Sequence, residues 1–414
     1  MPMIRPFAAL RPASGRASDV AAPPYDVVSQ EEARTRAEGR PWSFLHISRA
    51  EIDLPLGTDP YSPQVYTRAR DNLQMMERAG VLVREATPCY YVYRLVMNGH
   101  VQTGLAAVAA VKAYEAGRVR RHELTRPDKE DDRVRQIDAL NAQTGPVLLA
   151  YRHHPEVETL LATVAQGAPE MDVTATDGVR HLVWTVADPA VITRLTTLFE
   201  GMERLYIADG HHRSAAAARV AALRSNDTAT RTEQTNDAAH DYFLTVAFPD
   251  SEMRILDYNR LVRDLHGLSR NDFLARVAHS FQVVPEDRPV RPARPGEFGM
   301  YLPDQWYRLT INPTQIPDDP VTRLDVSLLQ DRLLAPLLAV GDPRRDKRID
   351  FVGGIRGLAE LQERVDHGEM AVAFALYPTT LSDLMAVADA GAIMPPKSTW
   401  FEPKLADGLL SHVF

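Results

Sequence analysis

The sequence predicts an α+β fold, mixed sheets with packed helices, divided into an N-terminal domain over 1–285 and a C-terminal lobe over 286–414. Three observations predict it. Asn98-Gly99, set between the strand-like runs Tyr90–Met97 and Val101–Lys112, is the strongest short hairpin signal in the chain. Strand and helix patterns follow one another without the regular alternation of a doubly wound sheet. At 414 residues the chain is also long for one hydrophobic core.

Taken in order, the paired prolines of Val20-Ala-Ala-Pro-Pro-Tyr-Asp-Val-Val-Ser29 hold Tyr25 and Asp26 in a stiff loop. Ser29 caps a helix from Gln30 to Glu38 that Gly39 ends. A short strand is expected at Ser43–Ile47, and Val65–Gly80 has the apolar spacing of an amphipathic helix. After the hairpin, Arg118–Arg135 carries seven basic and five acidic side chains. Pro127 opens a helix there that runs to Gly145-Pro146, and Asp131 and Arg135 are spaced as an i,i+4 ion pair. A strand at Val147–Tyr151, a helix at Glu156–Val164 and a hairpin over Val173–Ala187 turning at Asp177-Gly178 follow. Pro189–Glu200 is a helix feeding the apolar run that ends at Asp209-Gly210, and an alanine-rich helix comes next. Ser225–Ala239 is polar without period and reads as an exposed mobile loop. Strands return over Tyr242–Leu261, and proline-rich Glu286–Gly296 leads into the second lobe. There, strands are expected at Phe298–Leu302, Trp306–Ile311 and Ala371–Leu376, with helices at Val321–Leu338, Gly357–Val365 and Leu381–Asp389. The chain then enters a stiff loop, Ile393-Met-Pro-Pro-Lys-Ser-Thr-Trp-Phe-Glu-Pro-Lys404, that carries two lysines, a serine and a threonine.

The composition, 45% hydrophobic and 25% charged, is that of an ordinary globular protein, and a net charge of −8 argues against a nucleic-acid surface. The single cysteine, Cys89, excludes an intramolecular disulfide and a cysteine zinc site, and its strand-like setting predicts a buried inert thiol. No signal peptide or membrane span is evident, so a cytoplasmic protein is expected.

Chemistry concentrates at Arg204-Leu-Tyr-Ile-Ala-Asp-Gly-His-His-Arg213. Gly210 permits a tight strand-to-helix turn, and the helix N-terminus favours an anion. His211 and His212 are candidate acid/base or phosphate ligands, Arg213 a phosphate fork, and Asp209 a cap or an orienting partner. Arg213→Ala is expected to cost ligand affinity and leave the fold intact. Zinc on His211 and His212 together is disfavoured, because neighbours on a helix diverge by about 100°. In the charged stretch, Arg126 and Lys129 suit phosphate, while Glu123, Asp128 or Asp132 suits a metal or a general base. Lys397 and Ser398 resemble a phosphate-binding pair without the glycine-rich loop of a Walker motif, and Gly353-Gly354-Ile-Arg-Gly357 is a lone glycine cluster.

Read together, Val-Ala-Ala-Pro-Pro-Tyr-Asp-Val-Val-Ser, Ser43-Phe-Leu-His-Ile, Glu51-Ile-Asp-Leu-Pro, His122-Glu-Leu-Thr-Arg-Pro-Asp-Lys, Ile-Ala-Asp-Gly-His-His-Arg and Met394-Pro-Pro-Lys-Ser-Thr-Trp-Phe carry a resemblance. Over nearly its whole length the chain resembles the prokaryotic family called domain of unknown function 1015. The Ile207–Arg213 block is also similar to the signature of free-serine kinases in the ParB/sulfiredoxin superfamily, with Ser214 standing where relatives commonly carry an aromatic residue. The resemblance implies a ParB/sulfiredoxin-like core with a second α+β lobe. It also implies a phosphotransfer enzyme, kinase or phosphatase, acting on a small hydroxylated metabolite such as serine or phosphoserine. Magnesium and a nucleotide are the implied cofactors, a phosphorylated metabolite or nucleotide the partner, and homo-oligomerisation stays open. In this reading Glu123 is the base, Asp209, His211 and His212 the catalytic junction, and Arg126, Lys129, Gly210, Arg213, Lys397, Ser398, Tyr25 and Asp26 the binding residues. The different-class alternative is a ParB-like nucleotide-binding regulator with slow or no hydrolysis.

Overall fold

The computed structural model describes residues 1–227 and 238–414, and the loop expected over Ser225–Ala239 lies largely outside the described residues. The chain divides into two compact units, Met1–Met253 with Pro403–Phe414, and Arg254–Glu402. The boundary expected at 285/286 falls inside the second unit, and the last dozen residues return to the first.

The first unit is built on a nine-stranded mixed sheet. Its strands are β1 (Ile4–Arg5), β2 (Tyr90–Met97), β3 (His100–Ala110), β4 (Val119–Arg120), β5 (Val147–Tyr151), β6 (Met171–Thr174), β7 (Arg180–Val186), β8 (Leu205–Asp209) and β9 (Tyr242–Pro249). They lie in the order β4-β8-β5-β9-β3-β2-β7-β6, with β1 on β3. The β2–β3 hairpin turns at Asn98 and Gly99, both at positive φ, as an Asn-Gly turn requires. β5 and β9 run parallel, as do β8 and β4, whereas β8 is antiparallel to β5. The register of that last pair shifts between Ile207 and Asp209. A bulge at a strand end re-aims the side chains beyond it, which is where the charged junction begins.

Around the sheet lie α1 (Gln30–Ala37), α2 (Pro63–Arg78), α3 (Pro127–Leu140), α4 (Pro155–Val164), α5 (Pro189–Gly201) and α6 (His211–Asp227). Ser29 caps α1 as the sequence predicts, and Glu32 completes a capping box there. The strand expected at Ser43–Ile47 is instead a turn of helix, Leu45–Ser48. Phe44, Leu45 and Ile47 are all buried, and a run this short with three inward apolar residues fits the curl of a helix better than the alternation of a strand. The i,i+4 pair of Asp131 with Arg135 is also replaced. Asp131 and Glu130 of α3 meet Arg219 of α6 at 2.7 and 2.9 Å, while Arg135 donates to the Tyr61 carbonyl. Between the two helices Ile137, Ala216 and Val220 pack with Val134 and Phe414, and Ala216 and Ala217 are fully buried, as expected of the alanine run. Cys89 is buried and its thiol donates to the Thr87 carbonyl.

The second unit has a six-stranded antiparallel sheet of β10 (Tyr258–Val262), β11 (Gln282–Glu286), β12 (Glu297–Leu302), β13 (Gln305–Thr310), β14 (Ile349–Gly353) and β15 (Val372–Leu376). Their order is β11-β13-β12-β15-β10-β14. Helices Gly357–Asp366 and Leu381–Asp389 form where expected. The single helix expected over Val321–Leu338 is broken into Asp325–Leu329, a π turn at Gln330–Leu334 and Ala335–Leu338. Pro336 has no N–H to donate and its ring crowds the preceding turn, so the backbone widens there. The glycine cluster serves packing: a Cβ at Gly353 would stand 2.7 Å from the Trp400 indole, and one at Gly354 would collide with the Asp257 carboxylate.

Candidate functional site

The junction forms as the sequence predicts, with β8 ending at Asp209, Gly210 at φ +98 and α6 opening at His211. A Cβ on Gly210 would stand 3.3 Å from both Arg213 Nε and Val147 Cα, so the chain turns there against its neighbours with no room to spare. Ser214, fully buried, donates its hydroxyl back to the His211 carbonyl and tightens the first turn.

Asp209 accepts from Lys404 Nζ at 2.9 Å and stands 3.9 Å from Arg213. Burial alone would raise its carboxyl, but Lys404 and Arg213 outweigh burial and hold it below the usual carboxylate range. Lys404 returns with the C-terminal segment and lines a recess together with Arg36, Arg40, Ser18 and His181. Arg213 lines another with Tyr25, Arg133, Gly145 and Asp407. Asp209 therefore ties together cations from the walls of two recesses.

Arg213 is not an open fork. It donates to the Pro146 carbonyl and lies 3.7 Å from Asp26, with its side chain 11% exposed. Its Nε has no hydrogen-bond partner. Asp407 shares this enclosure; burial raises its carboxyl to about 7 against the pull of Arg213. Tyr25 lies under the Arg133 guanidinium at 3.8 Å, and burial lifts its phenol to about 12.

The two junction histidines face different partners, as their helical divergence requires. His212 Nε2 accepts the Arg126 backbone N–H at 3.0 Å, and burial lowers its pKa. His211 is buried, with Nδ1 3.8 Å from Glu123 Oε2 and Nε2 3.5 Å from the His122 N–H. Burial and the neighbouring His122 keep it neutral. His122 is itself 2% exposed, edge-on to His211 with ring centroids 4.5 Å apart, and burial pushes it down to about 4. Neither of its ring nitrogens has a hydrogen-bond partner; the Ile207 carbonyl offsets burial a little without reaching hydrogen-bond geometry. Donor atoms of His122, Glu123 and His211 lie within 4.8 Å of one another, the set among the described residues that could hold a metal ion.

The remaining candidates divide. Arg126 is exposed and forked by Asp128 at 2.8 and 3.2 Å, and Lys129 donates to the Tyr61 hydroxyl at 2.6 Å. Asp132 is buried, accepting from Tyr66 at 2.8 Å and Arg133 at 2.6 Å, a structural carboxylate rather than a base. Lys397 and Ser398 belong to the second unit, where Lys397 Nζ sits 5.6 Å over the Tyr258 ring and Ser398 donates to the Pro395 carbonyl at 2.6 Å. Sequence reasoning missed His122, Lys404 and Asp407. The first two stood in segments already marked, the charged stretch and the lysine-bearing loop, and Asp407 carried no signal.

The family described as "Protein of unknown function (DUF1015)" matches residues 4–327. Among curated proteins none matches the sequence. Of solved structures, free serine kinase in complex with AMP is similar at 14% identity over 72% of this chain and 86% of that one, with a TM-score of 0.34. SbnI with C-terminal truncation from Staphylococcus aureus is similar at 10% identity over 73% and 85%, with a TM-score of 0.38. A conserved hypothetical protein from Pyrococcus furiosus is similar at 14% identity over 74% and 94%, with a TM-score of 0.35. Among the described residues, no helix is long and apolar enough to cross a membrane.

Proposed function

The chain belongs to the DUF1015 family, and from its strand–glycine–helix junction we propose a phosphotransfer enzyme for a small hydroxylated metabolite, with serine and phosphoserine as the substrate pair. The observation that carries the reading is Asp209, an anion held between Lys404 and Arg213 at the start of a helix whose first two residues are neutral imidazoles. An anionic ligand entering there meets a helix N-terminus and the Lys404 ammonium beside Asp209. The choice of serine rests on the likeness of the Ile207–Arg213 block to the free-serine kinase signature.

In this reading the serine hydroxyl attacks a nucleotide phosphoryl group, its proton passes to Glu123, and the nucleotide departs one phosphate shorter. Lys404 and the N-terminus of α6 hold the phosphoryl oxygens with His212, while Arg126 and Lys129 balance the charge that develops. Arg213 keeps Asp26 and Asp209 in place. Magnesium accompanies the nucleotide. Hydrolysis of phosphoserine would use the same cradle with water as acceptor, and the reading assigns no role to Lys397 or Ser398.

The test is a thermal-shift comparison of AMP, ADP, ATP and phosphoserine, followed by serine plus nucleotide and magnesium with phosphoserine and free phosphate both quantified. A nucleotide-dependent rise in Tm and turnover that falls about a hundredfold in Lys404→Met, with its fold intact by circular dichroism, is expected. Stabilisation by nucleotide with no turnover of either substrate would replace this reading with a nucleotide-binding regulator. No response to any of them would overturn both.

A further inference from the structure

We propose that His122, Glu123 and His211 form a binding site for a single transition-metal dication of the zinc, iron and manganese class. The proposal goes beyond the phosphotransfer reading and does not depend on it. It begins with an imidazole that lacks what burial demands: His122 is 2% exposed, and neither ring nitrogen finds a hydrogen-bond partner. Buried polar groups are paired in folded proteins, and an unpaired one beside a second buried imidazole and a carboxylate calls for an external partner. Two imidazoles and one carboxylate suit zinc or iron, whereas magnesium takes oxygen ligands and keeps its waters.

The geometry is that of an open ligand set, its three donor atoms within 4.8 Å of one another, which an ion would draw together. Ligands about 2.1 Å from a tetrahedral ion stand about 3.4 Å apart. His211 Nδ1 and Glu123 Oε2 are at 3.8 Å, so a few tenths of an ångström of closure brings them to one ion. Separate pieces of the fold supply the ligands. His211 is fixed by the Gly210 turn at the start of α6, and His122 with Glu123 follows β4, which pairs in parallel with β8. Ligation through Nδ1 moves the His211 proton to Nε2 and gives up the 3.5 Å contact with the His122 N–H, which is already at the limit of a hydrogen bond.

Charge and access agree with an ion that keeps an open position. Asp209 and Glu123 favour a cation here and Arg121 opposes it. Both histidines are buried, but the Glu123 side chain is 45% exposed, so the ion is reached from one side, where water or a ligand oxygen can complete its shell.

The full chain, purified without a histidine tag and stripped with chelator, is titrated with Co²⁺ and Zn²⁺ alone. About one equivalent of Co²⁺ should bind with visible ligand-field bands and a rise in Tm, and Zn²⁺ should displace it. Glu123→Gln, at a half-exposed position, should keep the metal-free Tm and weaken Co²⁺ about tenfold or more. His122→Asn should lose the bands; if that variant does not fold, Glu123→Gln decides. Absence of bands and of bound metal in the wild type, Mg²⁺ held in preference to Co²⁺, or Glu123→Gln binding as tightly as wild type would each overturn the site. Nucleotide and serine are absent from the titration, so its failure is distinct from failure of the phosphotransfer reading.

Discussion

Arg213 is mostly buried, donates to the Pro146 carbonyl and has Asp26 and Asp209 within 3.9 Å. A guanidinium in that setting holds carboxylates together before it meets a ligand. From the sequence alone, Arg213→Ala costs affinity and spares the fold; burial changes that expectation. Truncation leaves a hole beside Asp26, Asp209 and Asp407, with Lys404 still on Asp209, and taking the buried cation from carboxylates of which Asp26 and Asp209 are partly exposed costs about 1–3 kcal/mol. The urea midpoint of Arg213→Ala should fall accordingly, and Arg213→Lys should recover only part, because an ammonium cannot reproduce the planar fork. A wild-type midpoint for Arg213→Ala would return the residue to the purely ligand-gripping role its motif suggests.

One element, the turn from β8 into α6, sets where every junction side chain points. Gly210 has φ +98 with Arg213 Nε and Val147 Cα each 3.3 Å from where a Cβ would be, so Gly210→Ala should destabilise by about 1–3 kcal/mol in chemical denaturation. It should also displace His211 and Arg213 together, giving loss of Co²⁺ binding alongside the loss of stability. A variant as stable as wild type would mean that the turn relaxes freely. This junction was legible because its signals are local: an apolar run, a glycine, then alanines. The Asn98-Gly99 hairpin and the Ser29 cap were legible for the same reason. What could not be read was long-range partnership. His122 reaches His211 only because β4 pairs with β8, and Lys404 reaches Asp209 only because the C-terminal segment returns to the first unit. Local spacing misled where tertiary partners compete, as when Arg219 took Asp131 from Arg135, and at Leu45–Ser48, where the run was too short for its period to decide.

For the whole molecule, the pH dependence of stability follows from a few buried groups of opposite sign. His181 and His412 are 2% and 4% exposed, and burial lowers each to about 4. An unfolded histidine titrates near 6.5, so between about pH 6.5 and 4 the unfolded chain binds protons at these positions that the folded chain does not. Their contribution is complete above about pH 6.5 and is lost as pH falls. Asp407 works the other way: burial raises it to about 7, so from about pH 4 to 7 the folded chain holds a proton that the unfolded chain releases. Its contribution is present at low pH and is lost as pH rises through 7. His122, His211 and His212 are lowered as well, and buried Asp325 is raised to about 7 like Asp407, so the histidines outnumber the carboxyls and unfolding free energy should fall on acidification from pH 6.5 to 5, by about 1.4 kcal/mol per pH unit for each net proton. Urea titrations at half-unit intervals of pH can separate the groups. His181→Gln, which can still accept from the Tyr93 hydroxyl now 2.9 Å from His181 Nδ1, should flatten the slope by about one proton. Asp407→Asn should steepen it by the same amount and, because it removes a carboxyl that the fold must ionise above pH 7, should leave the chain more stable than wild type at pH 8. If both variants shifted the slope in the same direction, these groups would not be titrating as their burial requires.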